Sequence, residues 1–228
     1  MKLSHTIYFL VAMIFFAACG KLDNHPAPDA GVKGNVIDAV TKEPLQTEQP
    51  NGVKIRMLEM KYQGNVSPQD IWTRANGTFE TTQLFSGAYK IVPVEGPFFN
   101  ADTTQITVNG ITDISFTVTP FLNVQAQATT LGNSIVLAYT ISRPKAQDKI
   151  VECKSLLSAY PAVSNPINER AVTHDLSGID DNTILSNKFS DTLTALQSGQ
   201  TYYVRVAART ANAYNKYNYT KVMEVKIQ

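Results

Sequence analysis

Val53-Lys54-Ile55-Arg56-Met57-Leu58-Glu59 alternates apolar and charged side chains. Successive side chains of an extended chain point to opposite faces, so this stretch puts Val53, Ile55 and Met57 inward and Lys54, Arg56 outward. The same period of two recurs on either side. Upstream stands Val32-Lys33-Gly34-Asn35-Val36-Ile37-Asp38, followed by the turn Thr41-Lys42-Glu43-Pro44-Leu45. Downstream are strands at 71–74, 78–81, 87–94, 104–108 and 114–119, with the turn Ala75-Asn76-Gly77 between the first two. Gly, Asn, Asp and Pro separate the runs, and no run after Cys19 carries a sustained helical period. The expected class is all-β. Residues 60–69 form a long insertion between two strands, and loops are where such scaffolds carry function.

Pro120 to Asn123 reads as a joint. Beyond it, strands are expected at 124–128, 134–140, 149–153, 187–193 and 221–227. Leu196-x-x-Gly199-x-Thr201-Tyr202-Tyr203-Val204-Arg205-Val206-Ala207-Ala208-Arg209 is the strongest signal of this half. Its alternation puts Tyr203, Arg205 and Ala207 on one face and Tyr202, Val204, Val206 and Ala208 on the other. The second set is the more apolar and is expected to face the core, with Arg205 outside. The stretch 156–185 is polar, contains Pro161, Pro166 and Gly178, and is longer than a plain sandwich needs. Gly87 and Gly199 are expected at turns that require positive φ.

Two resemblances follow from these residues. Gly34-x-Val36-x-Asp38-x-x-Thr41-x-Glu43-Pro44-Leu45, Asn76-Gly77-x-Phe79 and Leu84-x-x-Gly87-x-Tyr89-x-Ile91 resemble the carboxypeptidase-regulatory-like, transthyretin-like β-sandwich family, over 31–119. The Leu196–Arg209 motif resembles strand F of fibronectin type III and related immunoglobulin-like domains, where a Tyr closes the corner, over 120–228. The implied fold is two tandem β-sandwich domains.

The N-terminus carries a different signal. Lys2 is followed by an apolar run at 7–18, about 12 residues long, which suits a signal-peptide h-region and falls short of the roughly 20 needed to span a bilayer. It ends in Phe16-Ala17-Ala18-Cys19-Gly20, which matches the bacterial lipobox except for Phe16 where Leu is usual. Residues 1–18 are therefore expected to be a signal peptide, Cys19 the lipidated residue, and 19–30 a Pro-punctuated tether. With this anchor, the arrangement resembles an uncharacterised family of Bacteroidetes lipoproteins of polysaccharide-utilisation systems. That resemblance implies an outer-membrane location, on the cell surface or the periplasmic face. It also implies a glycan-capturing role beside an outer-membrane transporter complex, with a structural spacer or adaptor as the alternative.

The net charge is +1, so no strong field favours nucleic acid. Neither a cofactor nor a metal is expected. His174, beside Asp175, is the lone histidine after the tether and reads as a surface-loop residue; no Gly-x-Ser-x-Gly elbow accompanies it. Cys153 reads as a small strand residue. Asp175-Leu176-Ser177-Gly178-Ile179-Asp180-Asp181-Asn182 reads as a solvated turn, with calcium as the alternative. Trp72, Tyr62, Phe98 and Phe99 lie in or near loops of the first domain, Trp72 packing inward. Tyr214, Asn215, Tyr217, Asn218 and Tyr219 crowd one loop and are the candidate ligand-binding residues, on an exposed hairpin tip. Sugars offer C–H faces to aromatic rings and hydroxyls to amides. The chain is expected to be a non-enzymatic binding protein.

Overall fold

The structure, a computed structural model, describes residues 26–61, 64 and 66–228. The expected signal peptide, Cys19 and Tyr62 lie outside the described residues. The chain is all-β, built from four sheets that pack in pairs. The first pair comprises β1 (Ala30–Asp38), β2 (Lys54–Glu59), β3 (Gln69–Trp72), β4 (Thr78–Leu84), β5 (Gly87–Glu95), β6 (Thr104–Val108) and β7 (Ile111–Val118). One sheet has the order β4-β1-β7 and the other β3-β2-β5-β6. Only β1 with β7 runs parallel among these pairs.

The expected alternation of β2 holds: Ile55 and Met57 are buried beside Val32, Val36, Phe79, Tyr89 and Ile91. Each such side chain contributes on the order of 1.5–3 kcal/mol by leaving water. The motif residues upstream build the turn and the close approach of strands. A Cβ on Gly34 would stand 1.6 Å from the Ile114 carbonyl oxygen, so only glycine lets β1 lie against β7 there. The Asp38 carboxylate accepts from the Val40 and Thr41 amides at 2.7 and 3.3 Å, and the Leu45 amide returns to the Val36 carbonyl at 2.8 Å. Gly77 sits at φ +76°. Gly87 does not need positive φ; it opens β5 opposite Val108.

The second pair comprises β8 (Asn123–Leu131), β9 (Ser134–Ser142), β10 (Ile150–Ser158), β11 (Arg170–Asp175), β12 (Phe189–Leu193), β13 (Thr201–Thr210), β14 (Asn218–Tyr219) and β15 (Met223–Lys226). The sheets are β12-β9-β8 and β11-β10-β13, with β14 and β15 both pairing β13. The Leu196 corner forms as its residues imply. Gly199 takes φ +80°, Leu196 is buried, and the Tyr202 hydroxyl accepts from the Gln197 amide at 3.2 Å. Cys153 is fully buried in β10, and burial pushes its thiol up to about 11. The stretch 156–185 is not irregular throughout. It holds β11 and a short helix, Asp181–Ser186, whose N-terminus Asp180 caps through the Asn182 and Thr183 amides.

One expectation fails here. Arg205 is fully buried. The alternation assigned its face correctly, since Tyr202, Val204 and Val206 do point into the sandwich, but the opposite face is covered rather than wet. Leu156, Val163, Ala207, Tyr217 and Tyr219 form a small core on that outer face, partly under the loop between β10 and β11. Arg205 donates to the carbonyls of Thr220 at 2.7 Å, Thr47 at 2.8 Å and Val163 at 3.2 Å. Its guanidinium lies 4.3 Å from the Tyr219 ring centroid, and burial lowers its pKa to about 10. Thr47 belongs to the first sandwich, so this arginine helps seal a seam between the two.

Candidate functional site

The segment between β13 and β14 divides into two parts with different surroundings. Tyr214 is 54% exposed, and Asn215 is exposed at φ 53°. Lys216, Tyr217, Asn218 and Tyr219 are buried, which corrects the expectation that the whole of 214–219 is an exposed tip. The cause is that β14 folds back along β13 and the first sandwich packs on it. Tyr219 donates to the Glu48 carboxylate at 3.2 Å and accepts from the Asn165 amide at 3.1 Å. Asn218 donates to the Pro97 carbonyl at 2.9 Å and accepts from the Leu122 amide at 3.0 Å. Tyr217 donates to Glu152 and accepts from Arg209. Lys216, also buried, donates to Glu48 at 2.8 Å and to the Asn51 carbonyl at 2.7 Å. Lys216, Asn218 and Tyr219 thus join the two sandwiches, while Tyr217 pairs within the second.

Tyr214 instead borders an open cleft of about 530 Å³ between the sandwiches. β5 gives Val92 and Val94 as one wall, and the loop after it adds Phe98, Phe99 and Asn100. Phe121 comes from the joint, Lys145, Gln147 and Asp148 from the loop between β9 and β10, and Asn212 from the turn after β13. Phe99 and Phe121 meet edge to face, with centroids 4.9 Å apart at 81°. The Lys145 ammonium stands 5.2 Å from the Phe99 centroid. Asn212 fixes the loop that carries Tyr214: its amide accepts from the Lys216 amide and donates to the Lys216 carbonyl, both at 2.9 Å. Residues 30–119 match the N-terminal domain of DUF3823. The family is described as a protein of unknown function.

The likeness to solved DUF3823 proteins extends through both sandwiches. The chain resembles a DUF3823 family protein from Bacteroides uniformis ATCC 8492 at 21% identity and TM-score 0.78, covering 89% of this chain and 100% of that one. A DUF3823 family protein from Parabacteroides merdae ATCC 43184 shares 20% identity at TM-score 0.73, covering 88% and 100%. A further solved structure, of a protein from Bacteroides uniformis ATCC 8492 described as a "putative carbohydrate binding protein", shares 19% identity at TM-score 0.73, covering 87% of this chain and 99% of that one. At these identities the likeness is one of fold. No curated protein matches the chain.

Of the other residues singled out, Trp72 is half-buried at the end of β3, with the ammonium groups of Lys54 and Lys216 4.7 and 5.0 Å from its centroid. Phe98 is buried. His174 is a β11 residue rather than a loop residue. Its Nε2 lies 2.7 Å from the buried Asp191 carboxylate, which also accepts from Ser155 at 2.6 Å and Tyr139 at 3.0 Å. The Ser155 hydroxyl is spent on the aspartate and not on His174, so no nucleophile–base pair exists there. Asp175 accepts from the Ser177 amide, Asp180 caps the helix, and Asp181 pairs with Arg143 at 2.9 Å and Lys149 at 3.4 Å. Among the described residues no group of three His, Cys, Asp or Glu could hold a metal ion.

Sequence reasoning missed Lys145, Asp148 and Phe121. They come from connections, which carry no period, and the cleft exists only where the two sandwiches meet.

Proposed function

We propose that the protein binds carbohydrate in the cleft between its sandwiches, without chemistry, while lipid on Cys19 holds it at the outer membrane. One observation carries the reading: an exposed tyrosine ring stands at the mouth of a cleft whose other walls combine aromatic rings with amides. Tyr214 supplies a face for the C–H side of a pyranose, and Asn100 and Gln147 supply partners for hydroxyls. The cleft's volume lies within the roughly 300–1,000 Å³ of small-molecule sites. A protein of the same fold described as a "putative carbohydrate binding protein" supports the choice of ligand. The role is then capture of oligo- or polysaccharide within a polysaccharide-utilisation system.

A glycan array tests it. The chain should be retained by a subset of glycans, and Ala213→Trp, which fills the cleft from its own lining, should abolish retention. Equal retention of that variant would place binding elsewhere.

A second reading has its own support. Arg205, Lys216, Asn218 and Tyr219 weld the sandwiches into one seam, as a rigid spacer or adaptor docking on an outer-membrane transport complex requires. Failure to bind any glycan, with co-purification of a membrane partner, would favour it.

A further inference from the structure

Lys145 and Asp148 are the charged residues that line the cleft. Elsewhere Arg56 pairs with Asp70, Arg209 with Glu152, and Arg143 and Lys149 both with Asp181. Lys145 and Asp148 line the cleft from the same short loop, yet they do not pair with each other. Among the described residues neither makes an ion pair within 4.0 Å, and the ammonium of Lys145 rests on the Phe99 ring instead. Gln147 lies between them in sequence and lines the same cleft.

Resting on the carbohydrate reading, we infer that Lys145 and Asp148 determine specificity in this cleft, and that its ligand is an uncharged sugar presenting two neighbouring hydroxyls. One hydroxyl accepts from the Lys145 ammonium and the other donates to the Asp148 carboxylate. Hydrogen bonds to ionised groups are about twice as strong as neutral ones, and a hydroxyl is both donor and acceptor, so a diol uses both charges. A uronic acid would gain from Lys145 but oppose Asp148. An amino sugar would gain from Asp148 but oppose Lys145. Opposite charges on one loop thus select against either kind of charged sugar. Contact with Phe99 holds the ammonium at the cleft wall before the ligand arrives, which lowers the ordering cost of binding.

The experiment is calorimetric titration of the full chain in detergent. The probes are neutral trisaccharides of glucose, mannose and galactose, with trigalacturonate and the glucosamine trimer. A neutral trisaccharide should bind best. Lys145→Gln and Asp148→Asn should each weaken it about tenfold. They should also shift preference in opposite senses: Asp148→Asn should improve trigalacturonate, and Lys145→Gln the glucosamine trimer. Both substitutions lie on the surface, and unchanged melting temperatures would confirm intact folds. If a neutral sugar binds and Tyr214→Ala weakens it while both charge variants bind it unchanged, the inference is wrong and the cleft reading survives. Tightest binding of either charged trimer by the unaltered chain also overturns the inference alone. If no probe binds, the carbohydrate reading falls and the inference with it.

Discussion

Lys216→Met should open the seam. The Lys216 ammonium lies 2.8 Å from Glu48, and the two side chains are only 9% and 14% exposed. It also donates to the Asn51 carbonyl and stands 5.0 Å from the Trp72 centroid. Removing one member of a buried pair costs about 3–5 kcal/mol, because the other charge stays desolvated. Glu48 keeps the Tyr219 hydroxyl at 3.2 Å, so the lower end applies, about 3 kcal/mol. For a chain of this size each kcal/mol lowers the melting temperature by about 2–4 °C, giving a fall of about 6–12 °C. Differential scanning calorimetry reads this directly, and a seam that opens before either sandwich melts would show as a new low-temperature transition. The double variant Lys216→Met, Glu48→Met removes both charges and should recover most of the loss. A single variant that melts within about 2 °C of the unaltered chain would refute the seam as a stabilising contact.

Three further outcomes follow from individual positions. Gly77→Ala should cost at least about 2 kcal/mol, since φ is +76° and the new Cβ would meet the Leu45 carbonyl at 2.6 Å; Gly199→Ala, at φ +80° with open space around it, should cost about 1 kcal/mol in urea titration. Equal costs would contradict that account of the Gly77 turn. The Cys153 thiol, buried and raised to about 11, should resist a disulfide reagent at pH 8 until the protein unfolds; rapid labelling of the native state would show that β10 is not closed. Cys19→Ser should abolish incorporation of a fatty-acid probe, and persistent incorporation would sink the lipid anchor.

Much of the fold was readable because period-two alternation is a local signal. β2 and the inward face of β13 follow directly from it, and the Gly34, Asp38 and Gly77 motif marks a turn whose hydrogen bonds are local. What alternation cannot reveal is what lies on the outer face. Alternation puts Arg205 on the outer face of its sheet, and it does point there, but the loop between β10 and β11 and residues of the first sandwich cover it. The same limit applies to the tyrosine-rich loop. Its composition indicates recognition, yet Tyr219 serves a contact with Glu48 of the first sandwich, far away in sequence, and Tyr217 pairs with Glu152 and Arg209 inside the second. Tyr214 stays exposed because Asn212 turns the chain before the seam begins.

The most direct test of carbohydrate binding in the cleft compares two exposed tyrosines. Tyr214 borders the cleft and is 54% exposed; Tyr160 is 70% exposed and does not line it. With the glycan that the array retains most strongly, calorimetric titration of Tyr214→Ala should show affinity reduced about fivefold, the loss of one stacking contact of about 1 kcal/mol. Tyr160→Ala should bind as the unaltered chain does. Undiminished affinity in Tyr214→Ala, or an equal loss in both variants, would contradict a sugar site in this cleft.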